Sequence, residues 1–179
     1  MREQRALEER ESCLWTELQR DFERVLADEN VSTRPWYQAD READATHVLL
    51  RSQEPETLFT VRANHDCLLT PSSKGTDGKA LRKLREALLE SPSRGVTYLD
   101  LPRHRHCTER MARMEVTCER VSLRLRQRWS HKFLADAELY AVWTHEVGTT
   151  PAGEAPIEWL LLNTYPVTTI EAAFCVVRA

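Results

Sequence analysis

Glycine is scarce in this 179-residue chain: only five occur. Neither G-x-G-x-x-G nor G-x-x-x-x-G-K-[ST] can be written with them, and Gly75, Gly78 and Lys79 come nearest at the wrong spacing. Nucleotide-binding loops of both kinds are thereby excluded. No C-x-x-C occurs either. The five cysteines (Cys13, Cys67, Cys107, Cys118, Cys175) are odd in number and widely spaced, which argues against a disulfide framework or a zinc ribbon and for a reducing compartment. No apolar run reaches the roughly 18 residues that a membrane span needs. The first ten residues, MREQRALEER, are too charged for a secretory signal. What is present is a globular balance, 41% hydrophobic and 30% charged, unlike that of a disordered chain. The expectation is a soluble cytoplasmic protein without membrane contact.

Lysine is scarce as well. Of 25 basic residues 21 are arginine, the better side chain for bidentate phosphate contacts, although GC-rich coding also enriches it. The net charge of −3 conceals segregation: residues 1–60 carry −6, 61–79 carry +1, 80–132 carry +7 and 133–179 carry −5. A basic middle between acidic ends suits a phosphate-facing surface, and coding bias does not explain clustering.

Along the chain, Leu7, Leu14, Trp15, Leu18, Phe22, Val25 and Leu26 recur at helical spacing and predict one amphipathic helix over 4–29. A short strand follows at Trp36–Ala39, then a helix from Glu42 to Ser52, then a strand over 57–63. Residues 70–80 read as a loop and a boundary, with a helix from Lys79 to Leu89 after it. From there the period becomes two. Strands are predicted at 96–101, 111–118, 121–128, 138–147 and 157–164, and a helix over 167–177. Val121, Leu123 and Leu125 alternate with Arg124, Arg126 and Arg128, which sets a guanidinium row on one strand face.

Three motifs extend this reading. Asp40-Arg41-Glu42-Ala43-Asp44 follows a strand, with Phe59-Thr60-Val61-Arg62-Ala63 one strand later. Far downstream stands Pro156-Ile157-Glu158-Trp159-Leu160-Leu161-Leu162-Asn163-Thr164, then Pro166-Val167. Glu9-Arg10-Glu11-Ser12 followed by Trp15 is a weaker third. In this order, over nearly the whole chain, they resemble the cut-and-paste DDE transposases of the insertion-sequence-four group. There a K-E-S-x-x-W helix precedes D-R-E-A-D, a strand ending V-R-A/S, a β insertion and P-x-x-W-L-L-L-T-x-x-P-V. Asn163 departs from the usual Thr, although Thr164 follows.

The resemblance implies an α/β fold, a partial ribonuclease-H-like core interrupted by a mostly antiparallel β insertion. The expected divisions are 1–70 as core, 71–164 as insertion and 165–179 as the start of a core helix. It also implies a site for two Mg²⁺ or Mn²⁺ ions held by two Asp and one Glu, with Asp40 as the second Asp. Hard divalent cations take oxygen ligands, and two of them promote in-line attack on a phosphodiester. The competing role for Asp40 is to cap the helix after it. Trp159 matches the family's Trp that stacks on an extruded base, against the alternative of a core Trp beside Leu160 and Leu162. The expected DNA surface is Arg103, Arg105, Arg110, Arg113, Arg124, Arg126 and Arg128, against a merely solvated strand face. His104, His106, Cys107 and Cys118 have zinc-ligand chemistry, but in no common finger spacing.

The family's first Asp lies upstream of the K-E-S-x-x-W helix, and its Glu lies in Y-x-x-R-x-x-x-E beyond Pro-Val. Neither falls within residues 1–179, so one of three metal carboxylates is present. The expectation is a transposase fragment of bacterial cytoplasm, inactive alone, whose partners are transposon-end DNA and other transposase chains. A non-catalytic DNA-binding or regulatory protein derived from a transposase is the alternative.

Overall fold

The computed structural model describes residues 11–54, 56–70, 82–92, 95–103, 107–126 and 132–179. Arg105, Arg128, His104, His106, the first residues of the 4–29 helix and the 71–80 loop lie outside the described residues. The protein is mixed α/β, with four α-helices among the described residues and one six-stranded sheet. Element order is α1 (Glu11–Asp28), β1 (Trp36–Ala39), a 3₁₀ turn at Arg41–Ala43, α2 (Thr46–Leu50), a second 3₁₀ turn at Arg51–Gln53 and β2 (Leu58–Arg62). There follow α3 (Leu84–Glu90), β3 (Gly95–Leu101), β4 (Arg110–Arg126), β5 (Phe133–Glu146), β6 (Glu158–Asn163) and α4 (Ile170–Arg178).

Strand order is β1-β2-β6-β5-β4-β3. β1 and β2 are parallel; every other neighbouring pair is antiparallel. The parallel pair joins the long meander through β6, whose Leu162 and Leu161 oppose Val61 and Arg62. The alternation read as two strands at 111–118 and 121–128 is a single strand, β4, because Thr117 to Arg120 stay in register with Trp143 to Tyr140 of β5.

Side chains alternate across the sheet, so each strand feeds two cores. Leu160 and Leu162 of β6 join Phe59, Val61, Val121, Leu123, Leu139 and the helical residues Val48 and Leu84 on one face. Leu161 joins Val116 and Val142 on the other, beneath Ala173, Val176 and Val177 of α4. Thr169 caps α4, its hydroxyl accepting the Ala172 N–H at 3.2 Å. Gly95 admits α4 to the sheet: a β-carbon there would stand 3.0 Å from Ile170 Cγ1 and 3.3 Å from Phe174 Cζ.

Two helices differ from their predicted form. The helix expected over 42–52 is broken into the 3₁₀ turn, α2 and the second 3₁₀ turn, because Ala45 is extended at φ −130°, ψ 143°. α1 forms where the periodicity sets it, but Leu14, Leu18, Phe22 and Val25 face solvent. The buried side of α1 is instead largely polar, with Thr16 and Gln19. Arg51 is the reason. Its guanidinium, 2% exposed, reaches Gln19 Oε1 at 2.7 Å, Glu23 Oε2 at 2.7 Å and Glu54 Oε2 at 2.8 Å. A buried guanidinium left unpaired costs several kcal/mol, about 3–5 when one partner is removed. The helix therefore turns its acceptors inward.

Candidate functional site

Parallel strands point the same way, so the carboxyl ends of β1 and β2 lie side by side. β6 runs against β2, which brings its amino end to the same edge of the sheet. Asp40 follows β1, Arg62 ends β2 and Trp159 opens β6. The Asp40 carboxylate stands 3.7 Å from Arg62 Nη1, and the Arg62 guanidinium lies 5.6 Å from the Trp159 ring centre. The sequence motifs thus meet as carboxylate, cation and aromatic face in a row.

The Asp40 side chain is 73% exposed and makes no capping hydrogen bond; only its carbonyl is used, by the Ala43 N–H at 2.9 Å. The capping alternative for Asp40 is not taken. Trp159 is half-buried and packs on the α4-side cluster with Leu161. Arg62 is set between opposing influences. Partial burial pushes its guanidinium below the ordinary value, Arg41 pushes the same way, and Asp40 pulls it back. Behind it on the opposite face, Glu158 accepts from Trp143 Nε1 at 3.1 Å and from Arg85.

Asp44, the last residue of the Asp40 motif, was not singled out in the sequence, and neither was Arg62 apart from its strand. The Asp44 side chain is 3% exposed and accepts the backbone N–H groups of Asn64 at 2.5 Å and His65 at 2.8 Å. It fastens the turn bearing Asp40 to the segment that follows Arg62. The signal was present, since both residues belong to the quoted motifs.

The arginine row is differently placed. Arg124 faces Asp136 across β4 and β5 at 3.6 Å and packs on the Phe133 ring at 5.2 Å. Arg110 is held by Glu146 at 2.9 Å and by Glu154 at 2.5 Å. Arg126 is half-buried at the end of β4, and Arg103 and Arg113 are exposed. Hence Arg110 and Arg124 spend their charge on carboxylates of the same chain, while Arg103 and Arg113 face solvent. Arg105 and Arg128 lie outside the described residues.

For Mg²⁺ or Mn²⁺, Asp40 supplies hard oxygens, but its charged neighbour is Arg62 rather than a second carboxylate. Among the described residues no three His, Cys, Asp or Glu side chains stand close enough to share an ion. Among the described residues, the surroundings of Asp40 thus offer one carboxylate and a cation rather than the carboxylate set that two ions need. Among the described residues no helix is long and apolar enough to cross a membrane. In comparisons with known proteins, no family model and no curated protein matches this sequence.

Proposed function

We propose that the chain carries part of the catalytic region of a DDE transposase and engages DNA at the sheet end where Asp40, Arg62 and Trp159 meet. The resemblance in sequence motivates the proposal; the carrying observation is that residues from three separated segments, belonging to two of the motifs, lie within one short row. Such a row has the chemistry for a distorted DNA end. A guanidinium pairs with a phosphate, an aromatic face takes an unpaired base of any identity, and a carboxylate offers oxygens to a cation brought with the DNA. One such carboxylate does not position two ions, so the chain alone does not cut DNA.

Binding of a labelled duplex, and of the same duplex with one unpaired base, tests this over a salt series in EDTA and in Mg²⁺. Affinity should fall with salt for both. Trp159→Ala should weaken binding to the bulged DNA about tenfold, since stacking on a base contributes about 1–3 kcal/mol, and leave plain duplex nearly unchanged. In EDTA, Asp40→Ala should bind duplex more tightly, because a carboxylate beside the phosphate repels it. No binding at low salt would refute the DNA reading. Mg²⁺-dependent cleavage abolished by Asp40→Ala would refute the claim of inactivity.

A further inference from the structure

The outward stripe of α1 has no role in the site. Leu14, Leu18, Phe22 and Val25 are all exposed, Leu18 by 65%, on one side of a helix of 18 residues. At 3.6 residues per turn these four positions fall within one continuous strip. A single exposed apolar residue is ordinary, whereas a contiguous strip marks an interaction surface. The strip is also rigidly presented. Arg51 holds Gln19 and Glu23 on the inner side, and Tyr37 donates to the Gln19 carbonyl at 3.2 Å. The helix cannot roll its leucines inward without breaking that buried network.

We infer that two copies of this chain pair through α1, antiparallel about a two-fold axis. The pattern is complementary to itself in that direction: Leu14 of one copy meets Val25 of the other, and Leu18 meets the Asp21–Phe22 turn. Glu17 and Arg24, both exposed and seven residues apart, lie on the same flank of the strip. In an antiparallel pair each Glu17 faces the Arg24 of the other copy, twice by symmetry, and shares it with Asp21 of the same helix, which stands 3.1 Å from Arg24. A parallel pair would place Glu17 and Arg24 of the two copies on opposite sides of the seam, where they do not meet, and would align the two helix dipoles unfavourably. Both signs of charge border the strip, with Glu17 and Asp21 beside Arg20 and Arg24, so a partner of one charge sign fits it less well than a second copy. This inference stands apart from the DNA reading and does not need it.

Sedimentation equilibrium of the whole chain over a concentration series tests it. A reversible monomer–dimer equilibrium is expected, with Leu18→Glu monomeric and equal in melting temperature to the wild type at concentrations where the wild type is itself monomeric. Glu17→Arg and Arg24→Glu should each weaken the dimer, and the double reversal should restore it; these exposed positions serve if Leu18→Glu does not fold. A chain that stays monomeric, a dimer indifferent to Leu18→Glu, or a double reversal no better than the singles would each overturn the pairing.

Discussion

Asp44 accepts the His65 backbone N–H at 2.8 Å and also lies 3.1 Å from its ring Nδ1, so one carboxylate spans the turn after β1 and the segment after β2. This link keeps Asp40 and Arg62 at the same sheet end. Removing it takes a charged acceptor from two backbone donors and leaves them to water, since Asn64 and His65 are exposed. Hydrogen bonds to a charged acceptor contribute about 1.5–3 kcal/mol. Asp44→Ala should therefore lower stability by about 2–4 kcal/mol in denaturant unfolding, and Asp44→Asn, which keeps one acceptor oxygen, by about half as much. An unchanged denaturation midpoint for Asp44→Ala would show the link to be idle.

The strands were legible because their signal is local. In β4 the run Val121, Leu123, Leu125 alternates with Arg124 and Arg126, and the alternation alone sets which face enters the core. α1 shows the limit of such signals. Its period was correct, but its buried side is chosen by Arg51, which lies 32 residues beyond Gln19 and is legible only once the chain has folded. The candidate site behaves likewise. Asp40 and Trp159 were visible in their motifs, yet their connection runs through Arg62 and depends on the β2–β6 register. In the arginine row, the sequence showed one charged face and not the carboxylates that β5 sets opposite it.

Acid should loosen the far end of the sheet. Arg110 holds the Glu146 carboxyl below the ordinary glutamate range against the opposing effect of burial. Glu154 is also held low, first by the Thr108 hydroxyl, then with help from the Thr108 N–H and Arg110. A carboxyl with a lowered folded pKa contributes stability that is full above its unfolded value of about 4.3 and lost as pH falls through the folded value. The urea midpoint should thus be level above about pH 5 and fall below it. Arg110→Met should lower the midpoint most near neutrality, the gap closing as the pH falls. A gap that stays constant down to pH 3 would mean the pair is not what links stability to pH.

Thiol chemistry should separate two cysteines. Burial, aided by the nearby Asp44 and Asp66 carboxylates, pushes the Cys67 thiol up to about 12. The thiolate is the reactive form, so Cys67 is a poor nucleophile near neutral pH. Cys175 is exposed on α4. Timed alkylation of the native protein at pH 8, followed by peptide mass spectrometry, should label Cys175 well before Cys67. Equal rates would show that the segment around Cys67 opens readily.

The charge on β4 offers the last test. Arg124 stands opposite Asp136, whose carboxylate also accepts the Thr70 hydroxyl at 2.8 Å. A guanidinium already facing a carboxylate gives a phosphate little net attraction, because both charges act on it at nearly the same distance. If the chain binds DNA, Arg124→Ala should then change affinity by less than threefold and leave the salt slope almost unaltered. Asp136→Asn should do more: it keeps the Thr70 hydrogen bond, removes the compensating charge and steepens the salt dependence by up to one counterion per phosphate gained. Arg113→Ala, at an exposed position, should flatten that dependence. The three variants, titrated on one duplex from low to moderate salt, rank the arginines directly. Should Arg124→Ala cost more than Arg113→Ala, the row would act as a phosphate track despite its carboxylates, and pairing with Asp136 would not neutralise it.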